Sequence, residues 1–202
     1  MRSAGIVLAA GASRRMGQPK QLLAVGGEAL LERVAAAASA SRLDEVVVVL
    51  GAGAEAVRRA VALGRARVVV NERHEQGMST SLRAGIAALD ATVERAVVIL
   101  GDQPDVTPAV IDELLDRHQT TGLPAAALSA GGVLQPPVVL SRELWPELES
   151  MQGDVGARAL LRSRPERVAV VTTDRPPADL DTPEDLARWR ESQSTPPSAT
   201  TS

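Results

Sequence analysis

The chain has 202 residues, of which 45% are hydrophobic and 23% charged, and a formal net charge of −3. This fits one soluble globular domain that can bury a sizeable core, and the mild acidity without a basic stripe excludes a nucleic-acid footprint. With no cysteine, disulfides and thiolate metal sites are excluded, and no apolar run is long enough to span a bilayer.

Phe and Tyr are absent and only Trp145 and Trp189 are aromatic, so Val, Leu, Ile and Ala must fill the core. The N-terminal apolar run is too brief for a signal peptide and leads straight into a glycine loop, so Gly5 to Ala10 reads as a first strand in a cytoplasmic protein. A helix follows over Glu28 to Ala40, with Leu30, Leu31 and Val34 on one face. Glu45 to Leu50 (EVVVVL) is a continuous β-branched run, the pattern of a strand covered on both faces. Helices are predicted over Ala54 to Leu63 and Ser79 to Leu89, and strands over Arg67 to Asn71 and Arg95 to Leu100. Thr107-Pro108 opens another helix, with Thr at the N-cap and Pro at the first helical position. After Gly122 come strands over Ala125 to Leu128, Leu134 to Leu140 and Val168 to Thr172, and helices over Ser141 to Ser150 and Val155 to Ser163. Thr182-Pro183-Glu184-Asp185 opens the last helix with a capping-box pattern. The alternation predicts a single α/β domain over residues 1–191, a three-layer, Rossmann-like, mostly parallel sheet. The Ser-, Thr- and Pro-rich stretch 192–202 reads as a disordered tail.

Of the 22 basic residues only Lys20 is a lysine. It closes the run Leu8-Ala9-Ala10-Gly11-Ala12-Ser13-Arg14-Arg15-Met16-Gly17-Gln18-Pro19-Lys20, which follows the first strand. Small residues there let backbone N–H groups approach a polyphosphate, and Arg15 and Lys20 supply positive charge. The spacing is neither that of a P-loop nor that of the dinucleotide fingerprint, and the plain alternative is a connecting loop with exposed cations. Leu100-Gly101-Asp102-Gln103-Pro104 ends a buried strand, where open α/β sheets bind ligands. Asp102 could hold Mg²⁺ there, or merely close a turn. Asp179 and Asp181 alternate along an extended segment and so face one side, positioned to complete a metal site, while Asp185 reads as a helix cap. In Gly77-Met78-Ser79-Thr80-Ser81-Leu82, Ser79 or Ser81 caps a helix or reads a nucleobase edge. In Gly153-Asp154-Val155-Gly156-Ala157-Arg158, Asp154 reads as an N-cap, and Arg158 as a surface cation or a holder of an anionic acceptor. His74 and His118 have no third histidine or cysteine nearby and are not read as metal ligands.

Together these motifs resemble the molybdenum-cofactor nucleotidyltransferase family, which has a glycosyltransferase-A type fold. Leu8, Ala9, Ala10, Gly11, Ser13, Arg15, Met16, Gly17 and Lys20 match its opening motif, Leu100 to Pro104 its metal-binding strand end, and Asp179 to Asp185 its closing acidic motif. The resemblance extends to about Arg190. It implies that Arg15, Lys20 and Asp102 carry catalysis and that Asp102 with Asp181 and Asp179 holds Mg²⁺. It also implies that Leu8, Ala9, Ala10, Gly11, Ser13, Gly17, Gly77, Met78, Ser79, Ser81, Asp154 and Arg158 bind the substrates. Ala10, the Gly77-Met78-Ser79-x-Ser81-Leu82 segment and the Gly153 to Arg158 segment resemble the cytidylyl branch, implying CTP as donor and phosphorylated molybdopterin as acceptor. The product's onward partner would be a molybdoenzyme or its chaperone. Gln135-Pro136-Pro137 stands where that branch has Gly-His-Pro, which leaves the acceptor open. The rival expectations are guanylyl transfer to molybdopterin, nucleotidyl transfer to a sugar phosphate, and a non-catalytic nucleotide-binding or cofactor-delivery protein.

Overall fold

The computed structural model describes residues 1–153 and 156–194. Strand β1 (Ser3–Ala9) is followed by a short ribbon, β2 (Ala24–Val25) and β3 (Glu28–Ala29), and by helix α1 (Leu30–Ala40). Next come β4 (Glu45–Leu50), α2 (Ala54–Ala60), β5 (Arg67–Val70), α3 (Met78–Ala87), β6 (Arg95–Leu100) and α4 (Pro108–Thr121). The second half adds β7 (Ala125–Ala130), β8 (Val133–Ser141), α5 (Trp145–Ser150), α6 (Ala157–Ser163), β9 (Val168–Thr172) and α7 (Pro183–Ser194).

Seven strands form one sheet in the order β5-β4-β1-β6-β8-β7-β9. Only β8 runs against the others: it is antiparallel to β6 and to β7, whereas β1, β4, β5 and β6 pair in parallel and β9 pairs in parallel with β7. Side chains alternate across each strand, so β1 sends Val7 and Ala9 to one core and Ala4, Ile6 and Leu8 to the other. The first core is roofed by α1, α2, α4 and α7, and the second by α3, α5 and α6. This is the three-layer arrangement that the continuous apolar strands imply, since a strand covered on both faces has no solvent side to mark with polar residues. Among the described residues no helix is long and apolar enough to cross a membrane.

Several boundaries differ from the sequence expectation, and those at α1 and α7 bear on the site. Glu28 and Ala29 do not begin α1; they pair with Val25 and Ala24, and the Ala29 N–H is taken by the Glu32 carboxylate at 3.0 Å, which fixes the helix start at Leu30. Helix α7 continues to Ser194, past residue 191, and residues 195–202 lie outside the described ones. Its start is a reciprocal cap: Thr182 Oγ1 accepts from the Asp185 N–H at 3.2 Å, while Asp185 Oδ2 accepts from the Thr182 N–H at 2.8 Å. Trp189 then anchors the helix, with its ring buried and its Nε1 donating to Asp105 Oδ1 at 2.8 Å. The segment just before α7 is thereby held against the loop that leaves β6.

Candidate functional site

From β1 the chain moves outward to β4 and β5, then returns to β6 on the other flank of β1. The carboxyl ends of β1 and β6 therefore border the crevice where strand order reverses, the place where open α/β sheets bind ligands. The loop leaving β1 is fixed at several points. Ser13 adopts a left-handed conformation (φ 53°), and its hydroxyl accepts from the Lys20 N–H at 3.0 Å. Gln21 is buried and donates to the Ala9 carbonyl at 2.7 Å and the Gly11 carbonyl at 3.3 Å, and Met16 is buried in the core. On the facing strand, the Gly101 N–H reaches the Leu8 carbonyl at 2.9 Å. A Cβ at position 101 would stand 2.9 Å from the Ala9 Cβ and 3.0 Å from the Leu8 oxygen, so only glycine lets the two strand ends come this close.

This approach brings four charges together. Lys20 Nζ donates to Asp102 Oδ2 at 2.9 Å and also to Asp181 Oδ1. Arg15 takes the other oxygen of Asp181 at 2.8 Å. The Leu180 N–H donates to the Asp102 carbonyl at 3.0 Å and ties the two acidic segments to each other. Burial pushes the Lys20 pKa down, but the Asp102 charge and the hydrogen bond to Asp181 outweigh it and hold the ammonium above its ordinary value. Burial likewise raises Asp181, yet Lys20 and Arg15 overcome it and keep that carboxyl below the usual range. Asp179 differs. Burial drives it up, only partly offset by the Gln103 side chain, which donates to its Oδ1 at 2.8 Å; Asp102 and Asp181 add repulsion.

Two pockets open on this cluster. One of about 60 Å³ is lined by Leu8, Ala9, Gly11, Ser13, Lys20, Gln21, Gly101 and Asp102. The other, about 210 Å³, is lined by Leu8, Ala10, Gly11, His74, Gly77, Met78, Ser81, Leu100 and Asp102. They share Leu8, Gly11 and Asp102 and form one crevice. A further pocket of about 350 Å³ shares Leu8, Met78 and Leu100 with it and reaches Pro136, Arg158 and Asp179.

Most of the residues singled out in the sequence thus meet here, with exceptions. Gly17 ends the loop turn in a left-handed conformation (φ 71°) and lines none of these pockets. Ser79 and Ser81 do not cap α3. Its N-cap is Gly77, which has no side chain to offer, and the hydroxyl-bearing residues stand inside the first turn. There Ser81 Oγ accepts from buried Asn71 Nδ2 at 3.0 Å, and Ser79 is buried behind the crevice with no partner for its hydroxyl among the described residues. Asp154 lies outside the described residues. Gln21 and Asn71 carry no motif signal, Gln103 was read only as part of the Leu100 to Pro104 motif, and the sequence reading missed the roles of all three. Each acts by positioning: Gln21 the loop, Asn71 the Ser81 hydroxyl and Gln103 the Asp179 carboxylate.

Among the described residues no three His, Asp or Glu side chains form a ready-made cation cage. The available donors are the two half-exposed carboxylates of Asp102 and Asp181, oxygen ligands only. That set suits a hard divalent cation such as Mg²⁺ or Mn²⁺, which takes one or two protein carboxylates and completes its shell with water and substrate phosphates.

The whole-chain comparisons agree with this architecture. The chain is 37% identical over 193 residues to the nicotine blue oxidoreductase of Paenarthrobacter nicotinovorans, covering 91% of this chain and 94% of that protein. It is 30% identical over 204 residues to the purine catabolism protein PucB of Bacillus subtilis strain 168, covering 94% and 97%. The crystal structure of Rv0371c from Mycobacterium tuberculosis H37Rv superposes with a TM-score of 0.86 at 34% identity, over 94% of this chain and 97% of that one. A manganese complex of the same protein superposes at 0.82 and 32% identity, over 95% and 100%. Residues 5–170 match the family described as the MobA-like NTP transferase domain, and with the loop, the strand-end aspartate and the sheet order in place, the chain belongs to that family.

Proposed function

We propose that the protein is a nucleotidyltransferase that moves CMP from CTP onto molybdopterin, with Mg²⁺ as its metal and pyrophosphate as the second product. One observation carries the reading: the chain's only lysine meets Asp102 and Asp181 where the sheet's strand order reverses. The triphosphate lies along the loop from Ala10 to Lys20, with Arg15 and Lys20 facing its negative charge. The base lies in the pocket bordered by Ala10, Gly77, Met78 and Ser81. A bound divalent cation, for which Asp102 and Asp181 are the holding residues, supplies charge neutralisation at the phosphates.

A terminal phosphate oxygen of the acceptor attacks the α-phosphorus. The new P–O bond forms as the α–β anhydride bond breaks, and pyrophosphate leaves with the bonding electrons. The nucleophile is already ionised near neutral pH, so no general base is needed and the protein's work is positioning and charge stabilisation. Arg158 is the cation on the acceptor side. The Mn²⁺ complex of Rv0371c supports a divalent metal in this fold, and the match of Ala10 and of Gly77 to Leu82 with the cytidylyl pattern supports CTP over GTP.

The test is pyrophosphate release measured with CTP, GTP, ATP and UTP, Mg²⁺ and molybdopterin. Release with CTP well above the other three is expected, and equal or absent release with all four overturns the reading. The name of the 37% identical relative favours a second reading, an oxidoreductase. Redox turnover of nicotine blue, in the absence of pyrophosphate formation, would support that alternative.

A further inference from the structure

Resting on that transferase reading, we propose that the pocket between β8 and α6 is the acceptor subsite and that Arg162, with Arg158, captures the acceptor's phosphate. The pocket of about 350 Å³ shares Leu8, Met78 and Leu100 with the nucleotide crevice, so an occupant would lie directly beside the nucleotide. Its two sides differ in chemistry. On the strand side, Val98, Leu100, Pro136 and Val138 present an apolar surface. On the helix side, Arg158 and Arg162 stand four residues apart on α6 and therefore on one face, and the one carboxylate that also lines the pocket, Asp179, is already held by the Gln103 side chain.

Two guanidiniums so placed repel each other, and the molecule has left them that way. Further along the same stretch, Arg164 pairs with Glu147 at 3.0 Å, and Arg167 pairs with Glu143 at 2.7 Å and Glu147 at 3.5 Å. Among the described residues, neither Arg158 nor Arg162 has an ion-pair or hydrogen-bond partner. Both are exposed and both border the pocket. An anion bound between them removes the repulsion and gains fork-like hydrogen bonds, which planar guanidiniums make best with phosphate or carboxylate. The apolar wall opposite favours a ligand whose anion is carried on an apolar body rather than a small hydrated ion. The class of acceptor is thus a phosphate monoester carried on an apolar body.

The experiment is a calorimetric titration of phenyl phosphate into the full chain saturated with CTP and Mg²⁺, with inorganic phosphate as the comparison. Phenyl phosphate is expected to bind at least tenfold more tightly than inorganic phosphate. Arg162→Ala and Arg158→Ala are each expected to weaken it tenfold or more, Arg162→Lys less, with CTP affinity unchanged in all three. Unaltered binding in Arg162→Ala overturns the proposal, as does loss of CTP binding in that variant, because the residue would then serve the nucleotide. Equal affinities for the two phosphates overturn the apolar half. If CTP itself does not bind, the transferase reading has failed. The titration is then repeated without nucleotide on Lys20→Gln protein, where dependence on Arg162 supports the pocket and independence overturns it.

Discussion

The sheet carries a sheltered cation at each of its two ends, and the two are held in opposite ways. At the carboxyl ends of β1 and β6, Lys20 keeps 17% of its side chain exposed and bonds to two carboxylates. At the other end of the same strands, Arg95 at the start of β6 is 6% exposed. It is satisfied by neutral acceptors: Ser3 Oγ at 2.7 Å, the Leu115 carbonyl at 3.0 Å and, at 3.4 Å, His118 Nδ1. Among the described residues no carboxylate lies within ion-pair distance of Arg95. A charge paired with solvent-reachable carboxylates can exchange its partners for a ligand. A charge buried among carbonyl and hydroxyl oxygens cannot leave without orphaning them. The first arrangement suits chemistry and the second suits structure.

The strongest way to break this contrast is to delete each cation. Lys20→Ala and Asp102→Ala should each lower the rate of pyrophosphate release by about two to three orders of magnitude, the first by removing a cation aimed at the charge that develops during transfer and the second by removing a carboxylate that would hold the divalent cation. Arg95→Ala should leave nucleotide affinity unchanged and instead cost about 3 kcal/mol of stability in urea unfolding, because it strands three polar partners in a dry environment. If Arg95→Ala impaired turnover in a fully folded protein, or Lys20→Ala unfolded the chain, the division of labour would be wrong.

The Lys20 half of this contrast was legible in the sequence, and the Arg95 half was not, for a physical reason. The runs Glu45–Leu50 and Arg95–Leu100 announce strands buried on both faces, and a lone lysine after a glycine turn announces a site. Asp102 could be placed because a polar residue just past such a run lies beyond the carboxyl end of a buried strand. The direction of β8 could not, because a strand's own side-chain pattern is the same whether its neighbours run with it or against it. Leu180, between Asp179 and Asp181, is fully buried, and the two carboxylates take different partners. Yet only Asp181 reaches Lys20, because Gln103, 76 residues away in sequence, takes Asp179. Ser79 or Ser81 reads from sequence as a cap or as a reader of a nucleobase edge, the first because hydroxyls near a helix start often cap it. The glycine backbone at 77 starts the helix earlier and leaves them inside it. Arg95 gave no signal at all: it is one arginine among 21, and its burial follows from tertiary packing, with Ser3 of β1 and Leu115 and His118 of α4 as its partners.

A finer test sharpens the claim that Lys20 holds its partners reversibly. In the nucleotide-free protein the ammonium occupies both carboxylates that would receive a metal, so a lone divalent cation must displace it. Lys20→Gln should therefore raise the affinity for Mn²⁺ alone by about tenfold, read by electron paramagnetic resonance of the free ion, while weakening CTP binding. A drop in Mn²⁺ affinity would mean that Lys20 helps to orient Asp102 and Asp181 rather than competing for them.

The smallest effect lies at the structural end and concerns His118. Its Nε2 meets Ser141 Oγ at 2.8 Å, and burial together with the Arg95 charge pushes its pKa below the ordinary 6.5. In the unfolded chain this imidazole takes up a proton as the pH drops through about 6.5, whereas the folded protein resists protonation, so the folded state is progressively penalised below that pH. The thermal midpoint of the wild type should thus fall more steeply between pH 7 and pH 5 than that of His118→Gln. Arg95→Met should flatten the His118-dependent part of the curve, because the repelling charge is gone while some of the bulk remains. Wild-type and His118→Gln profiles that run parallel across this range would show that the buried cation and the imidazole do not sense one another, and the structural end would then be held by packing and the Ser3 and Leu115 hydrogen bonds alone.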